Sequence, residues 1–168
     1  MRIAILTISD RASRGEYEDR SGPEIERVLE EAGLGAAEIV REIVSDDAGE
    51  IRAALERLGA NPPGPGRGPA AGADFIITTG GTGIGPRDLT PDVTREYCER
   101  ELPGIAEAIR AASLAETRTA MLSRGYAGVR GRTIVVNVPG SVRGAAFAAS
   151  VIAPIMSHAV AMLEGGGH

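Results

Sequence analysis

Apolar and polar positions along this chain follow two rhythms, and the switches between them mark out its elements. Residues 2 to 8, Arg-Ile-Ala-Ile-Leu-Thr-Ile, are a short apolar run rich in β-branched side chains, the composition of a strand covered on both faces. After the polar stretch Ser9 to Arg20, Ser21 and Glu24 stand in capping-box spacing. Ile25, Val28, Leu29 and Ala32 then recur at helical intervals as far as Gly33. A weaker strand is predicted at 38–44. Asp47 with Glu50 offers a second capping box ahead of Ile51, Ala54, Leu55 and Leu58. Residues 73 to 79, Ala-Asp-Phe-Ile-Ile-Thr-Thr, form the clearest strand and run straight into Gly80-Gly81-Thr82-Gly83. Thr90-Pro91-Asp92 has the form of a helix opening, with a capping hydroxyl, an early proline and an acid at the positive dipole end. More helix follows Pro103-Gly104 to about Ala115. Tyr126 to Arg132 reads as a strand turning at Gly131, Thr133 to Val138 as a strong strand, and Ala145 to Leu163 as a long alanine-rich helix.

Strands alternating with helices predict an α/β fold: a single doubly wound, three-layer domain over 1–168 with a mostly parallel central sheet. Residues 60–72, rich in proline and glycine, cannot sustain a helix or a ladder. They are expected to form a surface insertion, an active-site lid being the functional alternative, and 164–168 a short flexible tail. The stretch 145–163 lacks acidic and arginine residues and is long enough to raise the question of a membrane span. Its alanines, Pro154, His158 and two serines favour a buried or interface helix, in which His158 is expected to be a core or interface residue. Ile3 to Ile8 is shorter than a secretory apolar region.

Composition narrows the chemistry. All 18 cationic side chains are arginines, so a P-loop lysine, a lysine Schiff base and a serine/lysine dyad are excluded. Two histidines, His158 and His168, and one cysteine, Cys98, are too few for the usual zinc sites or an internal disulfide. Cys98 is most simply a small buried hydrophobe. A formal charge of −5 and a pI near 5.1 argue against a nucleic-acid module, while leaving room for a small anion held by local arginines and backbone N–H groups.

In open α/β sheets ligands collect beyond the carboxyl ends of strands. Four polar or glycine-rich segments fall at such ends: Ser9-Asp10-Arg11, Ser45-Asp46-Asp47, Thr79 to Gly83, and Asn137-Val138-Pro139-Gly140-Ser141. Gly80, Gly81 and Gly83 can turn N–H groups toward an anion, with Thr82 adding a hydroxyl; the same string also suits a tight strand-to-helix turn. Asp46 and Asp88 are candidates for Mg²⁺, an ion held by one or two carboxylates together with substrate phosphates. Asp46 read alone is equally a helix N-cap, and Asp88 a salt-bridge or Asx-turn residue. Asp92 reads as a dipole partner of its own helix. Arg87 and Arg143 suit phosphate, ordinary ion pairing being the alternative.

Taken together, Ile8-Ser9-Asp10-Arg11-Ala12-Ser13, Asp19-Arg20-Ser21-Gly22-Pro23, Thr78 to Gly83, Pro86-Arg87-Asp88-Leu89-Thr90-Pro91-Asp92, Leu122-Ser123-Arg124 and Asn137 to Ser141 resemble, in the same order, the MogA/MoaB-type molybdopterin adenylyltransferases. The resemblance runs from about residue 3 to residue 163. It implies a cytoplasmic enzyme, usually a homotrimer, that transfers AMP from Mg-ATP to the terminal phosphate of molybdopterin and releases pyrophosphate. It also implies hand-over to the molybdenum-inserting enzyme, with no nucleic acid or membrane involved. Asp46 and Asp88 match the family's functional aspartates. The resemblance further implies ligand-binding roles for Ser9, Asp10, Gly80, Gly81, Thr82, Gly83, Arg87, Ser123, Asn137, Pro139, Gly140 and Ser141. A non-catalytic molybdopterin carrier of the same fold is the alternative. Two departures stand out: Val142-Arg143 where the family often has proline and then lysine, and the length of 60–72.

Overall fold

A computed structural model describes residues 1–59 and 72–166. Along the chain come β1 (Arg2–Ile8), α1 (Asp10–Ser13), α2 (Ser21–Leu29), β2 (Glu38–Val44), α3 (Ala48–Leu58) and β3 (Phe75–Thr79). There follow α4 (Thr90–Tyr97), β4 (Arg100–Glu101), α5 (Pro103–Ser113), β5 (Ala127–Arg130), β6 (Thr133–Val138) and α6 (Val142–Leu163). Among the described residues the sheet has six strands in the order β2-β1-β3-β6-β5-β4. The first four run parallel, while β5 returns antiparallel to β6 and carries β4 at its edge.

The period-two alternation of side chains splits the apolar runs between two cores. Ile3 and Ile5 of β1, Phe75 and Ile77 of β3, and Ile134 and Val136 of β6 face Ile25 and Leu29 of α2 and Ile152 of α6. Ala4, Leu6 and Ile8, with Ile76 and Val135, face Ile51 and Leu55 of α3 and Val93 of α4. Both faces are covered, which is why the middles of these strands are continuous apolar runs instead of alternating with polar residues. Each fully buried isoleucine or leucine contributes about 1.5–3 kcal/mol. Three layers and a mostly parallel sheet agree with the pattern of the sequence.

Several helix ends are built differently from the expectation. At α2 it is Asp19 that caps: its Oδ1 accepts from the Ser21 and Gly22 N–H groups (3.0 and 3.1 Å) and from the Ser21 hydroxyl (3.0 Å). Asp47 caps α3, accepting from Gly49 and Glu50 N–H at 2.9 and 3.0 Å. Glu50 turns away to accept from the Ser45 N–H and hydroxyl, so neither capping box closes reciprocally. Thr90 is the first residue of α4, and its hydroxyl donates to the Gly80 carbonyl at 2.9 Å instead of capping. Neighbouring residues take over at α2 and α3, and a partner from the glycine loop does so at α4.

α6 packs on the first core through Ala145, Ala148, Ala149, Ile152, Ala153 and Met156. By length and apolarity alone it would suit a membrane. His158 lies exposed on its outer side, so the core half of that assignment is corrected: past Met156 it is Ala159, Val160 and Leu163 that pack on the first core, and His158 points to the opposite side of the helix. Cys98 is half-buried rather than fully so. The proline–glycine segment, apart from Gly72, and the last two residues of the tail lie outside the described residues.

Candidate functional site at the strand ends

Parallel pairing brings the chemistry to one edge. Thr7 is in register with Thr79, Thr79 with Val138, and Ile8 with Val44, so the loops opening at Ser9, Ser45, Gly80 and Pro139 emerge side by side. β1 and β3 are neighbours, and the chain leaves β1 toward β2 on one side and β3 toward β6 on the other. That is the topological switch where α/β sheets form a crevice.

The glycine loop is held in a conformation closed to other residues. Gly80 and Gly81 have φ of 108° and 62°. A Cβ on Gly80 would collide with the Ile8 carbonyl oxygen, and one on Gly81 with the Thr90 hydroxyl. Gly140 packs against the Gly80 backbone, where its own Cβ would stand 3.0 Å from the Gly80 Cα. The Thr79 hydroxyl donates to the Pro139 carbonyl at 2.9 Å, tying the glycine loop to the loop after β6. Thr82 is buried and Gly83 half-buried.

The acidic residues flank this loop. Asp46 Oδ1 lies 3.7 Å from the position a Gly81 Cβ would take, and Asp88 Oδ2 lies 2.8 Å from that of Gly83. Asp46 is not the cap of α3. It forms a reciprocal latch with Asp10: the Asp10 N–H donates to Asp46 Oδ2 at 2.7 Å, and the Asp46 N–H donates to Asp10 Oδ1 at 3.0 Å. Arg87 closes the group, pairing with Asp10 Oδ2 at 2.6 Å and donating to the Asp46 carbonyl at 3.4 Å. Ser9 caps the short α1, accepting from the Ala12 N–H at 3.3 Å. Asp88 Oδ2 accepts from the Gly85 N–H at 2.7 Å, a turn that curls 85–88 around the carboxylate. Among the described residues no cluster of three or more His, Cys, Asp or Glu side chains would enclose a metal. Each of these two carboxylates keeps one oxygen outside the hydrogen bonds described, which suits an ion whose remaining ligands are phosphate oxygens and water.

Two arginines differ in how they are tied. Arg143 pairs with Glu116 and is mostly exposed. Arg124, absent from the candidates drawn from the sequence, contacts three segments at once. Its Nε donates to the Gly83 carbonyl at 2.9 Å, its Nη2 donates to the Asp88 carbonyl, and its fork holds Asp92 at 2.9 and 3.1 Å. The Asp92 carboxyl is held below its ordinary range by this hydrogen bonding to Arg124. The signal available beforehand was the string Leu122-Ser123-Arg124, which says nothing about what the guanidinium touches.

Asn137 is buried, and its side chain is spent inside the protein. Its amide donates to the Thr78 and Thr94 hydroxyls at 2.8 and 2.9 Å, and its Oδ1 accepts from the Tyr126 N–H at 3.2 Å. Ser141 caps α6 through the Gly144 N–H. A cleft of about 470 Å³ opens between the glycine loop, α5 and the start of α6. It is lined by Thr82, Gly83, Ser123, Pro139 and Ser141 together with apolar Ile84, Leu122 and Phe147. Asp46, Asp88 and Arg87 do not line it. The site therefore has an apolar compartment and an acidic compartment joined by Thr82 and Gly83.

Residues 4–158 match the family model described as a probable molybdopterin binding domain. The molybdopterin adenylyltransferase of Helicobacter pylori strain J99 is 36% identical over 165 residues, 98% of this chain and 89% of that protein. The molybdenum cofactor biosynthesis bifunctional protein of Chlorobaculum tepidum is 40% identical over 167 residues, 99% of this chain and 50% of its own length. The solved structure of the molybdopterin biosynthesis enzyme MoaB from Thermus thermophilus superposes with a TM-score of 0.82 at 41% identity, covering 98% of this chain and 96% of that one.

Proposed function

Because the chain belongs to the molybdopterin-binding domain family, we propose that it is a molybdopterin adenylyltransferase, using ATP and molybdopterin as substrates. An oxygen of the terminal phosphate of molybdopterin attacks the α-phosphorus of ATP; a new P–O bond forms, the bond to the β-phosphate oxygen breaks, and pyrophosphate leaves. A phosphate monoester, with its second pKa near 6, is already largely anionic at pH 7, so no side-chain base is required. Alignment and charge neutralisation carry such transfers. Mg²⁺, when bound, would supply neutralisation of the triphosphate charge, with Asp46 and Asp88 to hold it.

The chain's own groups do the rest. N–H groups of Gly81 and Gly83 and the Thr82 hydroxyl meet phosphate oxygens, the Gly80 N–H being spent on the Val138 carbonyl at 3.3 Å, while the Asp10–Arg87 pair keeps Asp46 in place beside them. Ser123, Pro139 and Ser141 shape the apolar compartment, and Gly140 lets their loop pack against the Gly80 backbone. Asn137 acts from beneath it, fixing the end of β6 to β3 and α4. The observation that carries this reading is the placement of two aspartates along one glycine loop, Asp46 beside Gly81 and Asp88 beside Gly83.

The reading extends to the whole of 1–168 as one domain acting in the cytoplasm as a homotrimer. The apolar Ile155 and Met162, left exposed on α6, support self-association. Hand-over of the product to a molybdenum-inserting enzyme is supported by the bifunctional relative, of which this chain spans half. Pyrophosphate release from ATP, Mg²⁺ and molybdopterin tests the reaction. Asp88→Asn should lower kcat on the order of 100-fold with little change in KM. Molybdopterin binding without pyrophosphate release would favour the carrier instead.

A further inference from the structure

Resting on the adenylyl-transfer reading, we infer that Arg124 is a positioning residue for the reaction, setting where the Asp88 carboxylate stands relative to the glycine-loop amides. The 83–88 loop is tied outward on one side by Arg87, which pairs with Asp10 at 2.6 Å and donates to the Asp46 carbonyl at 3.4 Å; Ile84 is 70% exposed, and Pro86 is exposed as well. Its internal bonds are short-range, from the Asp88 N–H to the Gly85 carbonyl (3.1 Å) and from the Leu89 N–H to the Arg87 carbonyl (3.0 Å). Such turns fix the shape of the loop and leave its tilt undetermined.

Arg124 supplies the restraint on the other side, toward α4. Its backbone N–H donates to the Thr82 carbonyl at 2.9 Å, and its guanidinium takes the Gly83 and Asp88 carbonyls at the two ends of the loop. The remaining fork is clamped on Asp92 in the first turn of α4, a helix seated in the second core through Val93 and Tyr97. The glycine loop, the loop bearing Asp88 and a rigid helix are thus referred to one planar group. Lysine, a point charge with no fork, cannot reproduce that geometry.

The magnitudes separate positioning from folding. The Arg124 side chain is 40% exposed and that of Asp92 48%, and ion pairs in such surroundings contribute little to stability. A displacement of about 1 Å in a reacting group, by contrast, costs on the order of 100-fold in rate. Losing Arg124 should therefore leave melting almost unchanged and damage turnover.

The experiment compares wild type with R124Q and R124K by thermal melting, by backbone amide hydrogen exchange of the unliganded protein and by pyrophosphate release. We expect both variants to melt close to wild type, with Asp88 and Leu89 amides exchanging at least about tenfold faster and core strand amides unchanged. We expect kcat to fall about 10- to 100-fold with the KM for ATP nearly constant. Asp92→Asn, which keeps the carbonyl contacts and removes only the anion, should show a smaller fall. Unchanged loop exchange in R124Q overturns the inference, as does a large drop in melting temperature in both R124 variants, which would make the residue structural. Exchange is measured without ligand. A wild-type protein that releases no pyrophosphate would sink the adenylyl-transfer reading, while faster loop exchange in R124Q would still support the hold on the loop.

Discussion

Asn137→Ala distinguishes an asparagine that supports the site from one that faces a ligand. In the structure its amide and carbonyl make three internal hydrogen bonds, to Thr78, Thr94 and Tyr126, in a residue 3% exposed. Truncation leaves the Tyr126 N–H without its acceptor, costing about 1–3 kcal/mol for a buried donor. The two threonine hydroxyls lose a donor but keep freedom to turn, and Thr94 still donates to the Thr90 carbonyl at 2.8 Å, so these losses lie toward the lower end of about 0.5–1.5 kcal/mol each. The sum is about 2–4 kcal/mol, or a fall of roughly 4–16 °C in Tm for a chain of this size. Urea and thermal unfolding measure it directly. At temperatures where the variant remains folded, KM for molybdopterin should stay within about threefold of wild type, since a group acting beneath the pocket makes no direct ligand contact. A variant that melts within about 0.5 kcal/mol of wild type yet raises that KM tenfold would refute the reasoning and put the amide in contact with substrate.

Three further outcomes follow from particular contacts. Gly81→Ala forces an alanine to φ near 62° against the Thr90 hydroxyl; it should cost about 1–3 kcal/mol by urea unfolding and abolish most turnover. Asp92 owes its depressed pKa to hydrogen bonding and charge from Arg124. The stability from that pair is thus present above the ordinary carboxylate pKa and is lost as pH falls through the folded value. An NMR titration of Asp92 should move upward in R124Q, and an unmoved titration would contradict the assignment. Burial pushes the Cys98 thiol up to about 12, so at pH 8 iodoacetamide should label it roughly 100-fold or more slowly than it labels a free cysteine; labelling at the free rate would contradict the burial.

The strands were legible because burial on both faces writes itself into composition. No alternative environment accommodates Phe75-Ile-Ile or Thr133-Ile-Val-Val, and those runs became β3 and β6. Helix caps were less legible. Ser21 and Thr90 occupy cap-like positions, yet Asp19 and the Gly80 carbonyl take their hydrogen bonds, because a hydroxyl has competing acceptors, two residues away for Ser21 and across the fold for Thr90. His158 could not be placed from its neighbours either: a helix apolar for most of its circumference does not declare which stripe meets the sheet.

At the site, the sequence by itself determined the inventory: two aspartates, a glycine loop, arginine as the sole basic residue type apart from two histidines, and four polar segments each following a strand. Parallel strands place such segments on one edge, so their gathering followed from the pattern. Only the tertiary structure decided which groups face outward and which are consumed within. Asn137 and Arg124 both sit in family-like strings, but one is sealed in a hydrogen-bond network while the other spans three segments with its guanidinium. The reason is geometric: hydrogen bonds between residues 32 to 59 positions apart depend on how layers pack, and no spacing along the chain carries that information.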